Sequence, residues 1–520
     1  MTLSRRPAER RRVVALVILA CLALGSAAGL VGGLVSCAPA TDTVEARPLS
    51  TAEARRLADM RVTNYRDERA GVSAVWGEGD QQVRLAGWID WKQALAYVRV
   101  GGPGAGDRRG LLQAVPGLVA TRATTEAEEA APAGSADATK PAPPVAEPPA
   151  TPPADGWRLR PWAASGKNAT PLDAFLSLLF VIASTKPDPA DLLARTESRW
   201  LGQERIAGTT VDVLLGPAVP PQPLPTATPK PAGSARPSAT PSPSRTAPPT
   251  ALAELGGGVR YWLDPAAKLR RFEALLPGNL SVRADLDHAD RPPVTAVAAF
   301  GGATIAPRAL TKKETALLAG MRQRNLDRGG GRITVSISTV PVANLRGAGW
   351  IDWTSRVGYL ALHDVDKPAD VAYMRADLSG VAYQAVSGKK RDLPPLPAPR
   401  TGWQFQSWSQ RTDARGSLDV DLLLGEALAL ASSGTDDGGA LADRGSFLRE
   451  DVVGDVPVSV VELAKPAEKG SIARGQARLR YWIDGTGALL RLEARTRAGT
   501  FAQLDIQDGE VPILPSGRLG

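Results

Sequence analysis

The sequence contains the same ordered set of aromatic landmarks twice, and this duplication constrains the fold more than any other feature. Residues 87–91 and 349–353 both have the sequence Gly-Trp-Ile-Asp-Trp, and Arg-Tyr-Trp-Leu-Asp at 260–264 matches Arg-Tyr-Trp-Ile-Asp at 480–484. Of the 12 Trp residues, ten fall into five matched pairs that occur in the same order. The sequence therefore predicts two copies of one structural unit.

The spacing between matched residues shows that the two copies differ in length. It falls from 271 residues at Gln113 to 220 residues at Trp262, so the first copy holds extra sequence. The extra residues coincide with 121–155, rich in Ala, Glu and Pro, and with 217–250, rich in Pro, Ser and Thr. Both are predicted to be disordered Pro-rich loops, because such compositions bury too little apolar surface to offset the entropy of ordering. The predicted domains are a first repeat at 49–300 and a second repeat at 309–515.

The N-terminal segment, residues 1–48, predicts attachment to a membrane. Five Arg lie within the first twelve residues, and an uncharged apolar run of about 23 residues follows at 13–35. A helix of that length spans a bilayer about 30 Å thick, and basic flanks stay on the cytoplasmic side. We therefore expect the rest of the chain at the extracytoplasmic side of the cell membrane.

The apolar run ends in Leu-Val-Ser-Cys at 34–37, which leaves two forms of attachment open. Its length favours an uncleaved transmembrane helix over a signal peptide. Its ending is similar to a lipoprotein signal, in which Cys37 receives a lipid after cleavage. The two Cys of the chain, Cys21 and Cys37, both lie in this segment, so the exported part has no disulfide framework.

Charge and histidine content disfavour several classes of function. The net charge is +8, and +4 of it lies in the first twelve residues, so we expect no basic face for nucleic acid. The chain has only two His, which argues against a His-based metal site or catalytic triad. His288 lies near three Asp, and this segment is predicted to be a solvated loop that binds no cation. We expect no enzyme activity, no cofactor and no metal.

Each repeat begins with a helix and continues with strands, central helices and further strands. Ser50 and Glu53 have capping-box spacing, as do Thr311 and Glu314. Pro171 is placed at the first position of a central helix, where its missing N–H costs nothing. This order of elements predicts an α+β domain in which helices cover one face of a large antiparallel sheet.

Short motifs late in each repeat resemble the LolA-like / LppX–LprG-like lipoprotein carrier superfamily. They are Ile-x-Gly-x-x-Val-x-Val at 206–213, and the strand turns that begin with Tyr-Trp-Leu-Asp at 261–264 and Tyr-Trp-Ile-Asp at 481–484. The resemblance implies a curved antiparallel half-barrel, covered by helices around an apolar cavity, that carries or senses lipid-like molecules without catalysis. The second repeat departs from the pattern at Pro457. Because Pro removes a ladder donor, we expect either no strand at this position or a strand at a sheet edge.

Two groups of residues are predicted either to line such a cavity or to pack in the core. One is the Trp-Ile-Asp-Trp segment of each repeat, in which alternation places the two Trp on opposite faces. The other is the apolar run 176–183, which is either a buried helix or the lid of a lipid cavity. The candidate cavity residues are Trp88, Trp91, Leu176, Leu179, Phe180, Trp350 and Trp353.

Two functional hypotheses follow for a membrane-tethered chain with tandem half-barrels. The first is binding of a lipid or a lipidated envelope molecule. The alternative is a regulatory or scaffolding role, in which the same domains bind another envelope protein. An open apolar cavity of several hundred Å³ favours the first hypothesis, and a filled interior favours the second.

Overall fold

The computed structural model describes most of the chain after the N-terminal segment. The described residues are 45–124, 145–161, 169–218, 258–289, 292–339, 343–365, 367, 369–387, 392–408, 419–464, 472–496 and 499–515. The predicted anchor, the candidate lipidation site Cys37 and most of both Pro-rich insertions lie outside them. Within the part of the chain that is described, no helix is long and apolar enough to cross a membrane.

The first repeat is built on one antiparallel sheet of twelve strands. They are β1 (Arg47–Pro48), β2 (Arg69–Trp76), β3 (Val83–Asp90), β4 (Leu95–Gly101), β5 (Gly110–Val115), β6 (Leu118–Arg122), β7 (Arg158–Pro161), β8 (Arg199–Ile206), β9 (Thr209–Gly216), β10 (Val259–Leu263), β11 (Leu269–Leu276) and β12 (Leu280–Asp287). Their order across the sheet is β1-β8-β9-β10-β11-β12-β2-β3-β4-β5-β6-β7. The sheet is open, because β1 and β7 form its two edges.

The second repeat has a sheet with the same layout. Its strands are β13 (Arg308–Ala309), β14 (Gly330–Thr339), β15 (Ala343–Asp352), β16 (Val357–Asp364), β17 (Asp370–Ala376), β18 (Gly380–Ser387), β19 (Gln404–Ser407), β20 (Gly445–Val453), β21 (Val456–Leu463), β22 (Leu479–Asp484), β23 (Leu489–Arg495) and β24 (Phe501–Gln507). Their order is β13-β20-β21-β22-β23-β24-β14-β15-β16-β17-β18-β19, which repeats the first order strand by strand. The duplication in the sequence is therefore a duplication of topology.

Among the described residues, three α-helices accompany each sheet. The first repeat has α1 (Thr51–Asp67), α2 (Pro171–Val181) and α3 (Ala190–Arg195), and the second has α4 (Lys312–Arg328), α5 (Asp419–Ala429) and α6 (Gly438–Arg444). Both predicted capping boxes are present at the starts of α1 and α4. The α+β class predicted from the sequence agrees with this arrangement.

The main core of each repeat lies between its helices and one face of its sheet. In the first repeat, Phe175 of α2 stacks on Phe272 of β11 with ring centroids 6.1 Å apart. A smaller apolar cluster covers the opposite face of each sheet, where the segments that follow β12 and β24 pack. Each sheet is thus covered on both faces over part of its area.

The segment that carries Pro457 is a strand in the interior of the sheet, so the expectation of no strand or of an edge strand was wrong. β21 pairs with β20 over its whole length, but its pairing with β22 begins only at Val458. Pro457 therefore occupies the end of the strand, where only one neighbour is present. Its missing N–H breaks no ladder bond to β22 at this position.

Candidate functional site

Two buried side chains in each repeat hold the central helix against the sheet and the first helix. The indole N–H of Trp91 donates to the carbonyl oxygen of Leu179 at 3.0 Å, and Trp353 donates to Ala427 at 3.0 Å. The side-chain amide of Asn64 donates to Ile182, and that of Asn325 donates to Leu430, both at 2.8 Å. These equivalent bonds align α2 with α5 residue by residue.

The space beside these helices differs sharply between the repeats. In the first repeat, a void of only about 10 Å³ lies between α1, the end of α2, α3 and Tyr261 of β10. In the second repeat, the equivalent place is an open groove of about 410 Å³. The groove is lined by Leu318, Met321, Arg322, Glu426, Leu430, Asp436, Asp437, Ala440, Leu441, Arg444, Leu463, Ala464, Leu479 and Tyr481.

A polar side chain on α5 accompanies this difference. The alignment of the two helices places Glu426 at the position of Leu178, which is fully buried in the first repeat. Burying a carboxylate costs free energy unless water or a polar partner reaches it. Glu426 is partly exposed and lines the groove.

A tyrosine hydrogen bond helps to cover the void in the first repeat. The hydroxyl of Tyr261 donates to the carbonyl oxygen of Pro217 at 3.0 Å, which holds the end of β9 over the helices. In the second repeat the equivalent residue, Tyr481, lines the open groove. Burial raises the pKa of Tyr481, and the nearby Glu426 carboxylate raises it further. Tyr481 is therefore a neutral hydroxyl at physiological pH.

An ion pair that occurs at the same place in both repeats is more exposed in the second repeat. Arg61 and Asp188 lie 3.2 Å apart with side chains 12% and 11% exposed. The equivalent Arg322 and Asp436 lie 3.6 Å apart with side chains 34% and 37% exposed. Burial raises the pKa of Asp188, although Arg61 opposes this shift. The pair is enclosed in the first repeat and accessible to water in the second.

The groove of the second repeat combines an apolar floor with a polar rim. Leucines of four elements and Met321 form the floor, and most are under 10% exposed. The charged groups at the rim are Arg322, Glu426, Asp436, Asp437 and Arg444. Its volume lies within the range of roughly 300–1,000 Å³ that small-molecule sites occupy. In the described part of the chain, no group of three or more His, Cys, Asp or Glu is placed to hold a metal.

The structure places the predicted cavity residues in two different layers. Five of them, Trp91, Leu176, Leu179, Phe180 and Trp353, belong to or pack against the cores beneath the helices. Trp88 belongs to the cluster on the opposite face of the first sheet, and Trp350 packs in the equivalent cluster of the second. None of the seven is among the residues described as lining the groove. Their role in ligand binding stays a prediction.

The groove residues were missed because their sequence pattern is that of an ordinary core. Leu318 and Met321 have the spacing of an ordinary apolar helix face, and Leu430, Leu441 and Leu479 carry no motif. One signal was available in the sequence. Aligning the two apolar central helices places an acidic residue opposite Leu178, which is unusual for a closed core.

His288 lies in the core and not in a solvated loop, so that expectation was wrong. The residue is 3% exposed, and its ring contacts the Leu269 carbonyl oxygen at 2.7 Å and Asp67 at 2.9 Å. Burial lowers its pKa. These contacts join the end of β12 to α1 and β11, which is a structural role.

Comparison with known proteins gives distant structural similarity. No protein-family model matches this sequence, and no curated protein matches it. Among solved structures, the chain is similar to the lipoprotein LppX of Mycobacterium tuberculosis, with 14% identity and a TM-score of 0.22. The match covers 38% of this chain and 97% of LppX. A similarity at this TM-score carries no functional conclusion to this chain.

Proposed function

We propose that this protein is a membrane-tethered, extracytoplasmic, non-catalytic binder of a lipid-like molecule, and that the second repeat holds the ligand. The observation that carries the proposal is the open groove of about 410 Å³ with its apolar floor. In this proposal, each repeat is a half-barrel, and only the second has kept its interior accessible.

The chemistry of the groove fits a molecule with an apolar chain and a polar head. Each methylene group that leaves water for the floor contributes about 0.8 kcal/mol. The rim supplies two guanidinium groups, three carboxylates and the neutral Tyr481 hydroxyl, which hydrogen-bond a head group at the mouth. A lipid, or the lipid part of an envelope molecule, has both features.

The first repeat supports a different role within the same protein. Its interior is filled at the equivalent place, which leaves about 10 Å³. A filled half-barrel favours the alternative hypothesis, binding of another envelope protein or a scaffolding function. We assign that role to the first repeat alone.

A groove-filling variant tests the proposal. Ala440 is exposed on α6 and lines the groove, so Ala440→Trp places an indole in it. Leu193 of α3 and Leu441 of α6 line the equivalent places in the two repeats, so the residues that precede them, Leu192 and Ala440, are also equivalent. Leu192→Trp is therefore the matched control. Residues 45–520 contain both described cores, and this piece is titrated with a dansyl-labelled fatty acid. Fluorescence should rise for the parent and for Leu192→Trp, with at least a tenfold loss of affinity for Ala440→Trp.

If the parent does not bind the probe, or if both Trp variants bind it as well as the parent does, the groove is not a lipid site. Circular dichroism of each variant checks that the fold is intact.

A further inference from the structure

A second cavity, of about 540 Å³, lies between the two repeats. One wall is the outer face of the second sheet, formed by β14, β20, β23 and β24. The opposite wall consists of residues 151–157, which precede β7, and residues 295–303, which connect the repeats. The cavity therefore exists only because the two repeats are joined.

Direct hydrogen bonds between the repeats form this junction. The side-chain amide of Asn344 donates to the carbonyl oxygen of Leu159 and accepts from its N–H, both at 3.1 Å. Arg346 donates to the carbonyl oxygen of Trp157 at 3.0 Å. Arg449 donates to the carbonyl oxygens of Gly301 and Ala303 in the connecting segment. The walls of the cavity are thus held from both sides.

Glu493 on β23 is a buried acceptor that faces this cavity. It is 2% exposed, one of its oxygens accepts from Gln503, and its Oε2 has no hydrogen-bond partner among the described residues. Burial raises the pKa of Glu493 to about 7, although nearby arginines oppose the shift. A buried acceptor without a partner costs free energy, so it marks a place where a donor from outside the chain can bind.

The fold itself does not require this burial, as the first repeat shows. Arg260 and Glu273 are register partners on β10 and β11, as Arg480 and Glu493 are on β22 and β23. The side chains of Arg260 and Glu273 are 58% and 27% exposed, and they lie 3.8 Å apart. The same pair of residue types is thus open to water in one repeat and enclosed beside a cavity in the other.

The charges around the cavity indicate the class of ligand. Arg449 pairs with Asp451, and Arg491 pairs with Asp505, so two cations of the lining are already balanced by carboxylates. A phosphate would compete with these carboxylates for the two guanidinium groups, and a polycation would compete with the guanidinium groups for the carboxylates. A ligand that brings donors for Glu493 and acceptors for the guanidinium groups, without net charge, keeps them intact. Hydroxyl groups do both.

We propose that the cavity between the repeats is a binding site for a neutral saccharide. Sugar hydroxyls donate to the Oε2 atom of Glu493 and accept from Arg449 and Arg491. The apolar part of the lining, which includes Leu159, Val297 and Phe501, contacts the C–H faces of the sugar rings. This site is separate from the lipid groove, so it stands whether or not the second repeat binds a lipid.

A glycan array tests the site with residues 45–520, which contain both repeats and the junction. We expect the parent to bind neutral oligosaccharides in preference to phosphorylated or amino-substituted ones. Glu493→Gln should weaken this binding at least tenfold, because it replaces the acceptor with an amide. Glu273→Gln, the matched change on the first repeat, should leave binding within twofold of the parent.

A second variant covers the case in which Glu493→Gln fails to fold. Ser336→Trp fills the cavity from β14 without changing a buried charge, and it should also abolish array binding. The proposal is overturned if the parent binds no neutral glycan on the array. It is also overturned if folded Glu493→Gln or Ser336→Trp binds as the parent does, or if charged glycans are preferred.

Discussion

The two repeats share one topology and one set of polar anchors, yet only one of them has an open interior. Trp91 and Trp353 make the same indole hydrogen bond to the central helix, and both sheets have the same strand order. The void beside that helix nevertheless grows from about 10 Å³ to about 410 Å³. A duplicated fold can therefore keep its frame, that is its strand order and its anchoring Trp and Asn side chains, and change the volume of its interior through the few side chains that fill it.

The difference also separates two kinds of residue. The anchors determine where the helices lie, and their loss leaves buried polar groups without partners. The filling residues determine how much room remains, and a change at one of them alters accessibility more than topology.

The largest effect on stability is expected from exchanging the residues at the equivalent positions 178 and 426, which are Leu and Glu. Leu178→Glu places a carboxylate in the closed core of the first repeat and should lower the free energy of unfolding by about 3–5 kcal/mol. The reverse change, Glu426→Leu, should be close to neutral, because the groove already exposes that position to water. Urea denaturation followed by Trp fluorescence measures both. Equal costs in the two repeats would show that their interiors do not differ.

The buried asparagines should give the next largest difference. Asn325 makes two buried hydrogen bonds, to Leu430 and from the N–H of Leu489, whereas the Oδ1 atom of Asn64 has no partner among the described residues. Each buried group left without a partner costs about 1–3 kcal/mol. Asn325→Ala should therefore destabilise the protein more than Asn64→Ala. The opposite ranking in urea denaturation would show that the additional hydrogen bond of Asn325 does not stabilise the second repeat.

A pH dependence should come from the second repeat through Glu493. Its pKa in the folded state is about 7, above the ordinary value of 4.5, so the folded state binds more protons between these pH values. The free energy of unfolding should fall as the pH rises from about 4.5 to 7 and should then level off as far as this group is concerned. Glu493→Gln should remove that part of the slope. An unchanged slope in the variant would assign it to other groups.

The smallest difference between the repeats is expected at their helix caps, which serve as the control. Arg47 pairs with Glu53 and Arg308 with Glu314, and both glutamates have pKa values lowered to about 2. Glu53→Ala and Glu314→Ala should each cost about 1 kcal/mol, because a capping interaction is lost. This contribution is present above pH 4.5 and disappears as the pH falls towards 2. Unequal costs at neutral pH would mean that the two frames differ after all.

The frame was predictable from the sequence because its signals are local. Capping pairs such as Ser50 and Glu53, and the alternation within the Trp-Ile-Asp-Trp segments, depend on neighbours along the chain. The paired Trp positions then showed that the frame occurs twice. The expectation for Pro457 was wrong because the local sequence does not show where the adjacent strand begins. That point decides whether the missing N–H breaks a ladder hydrogen bond.

The groove and the cavity were not predictable in the same way. A void is the difference between the space that the frame encloses and the volume of the side chains that fill it, and no single position contains that information. Glu426 indicates an open interior only when the two central helices are aligned. The burial of Glu493 and His288 depends on segments far away in the sequence, so a pattern of nearby charges wrongly indicated solvent exposure at His288.

Native mass spectrometry of residues 45–520, exported by the native host and purified without detergent, tests the central claim most directly. We expect one bound lipid-like molecule per chain, which lipid extraction removes, and its loss in Ala440→Trp but not in Leu192→Trp. Two bound lipid-like molecules per chain would contradict the difference between the repeats. A chain that carries no ligand and takes up none when lipids are offered would contradict the binding function itself.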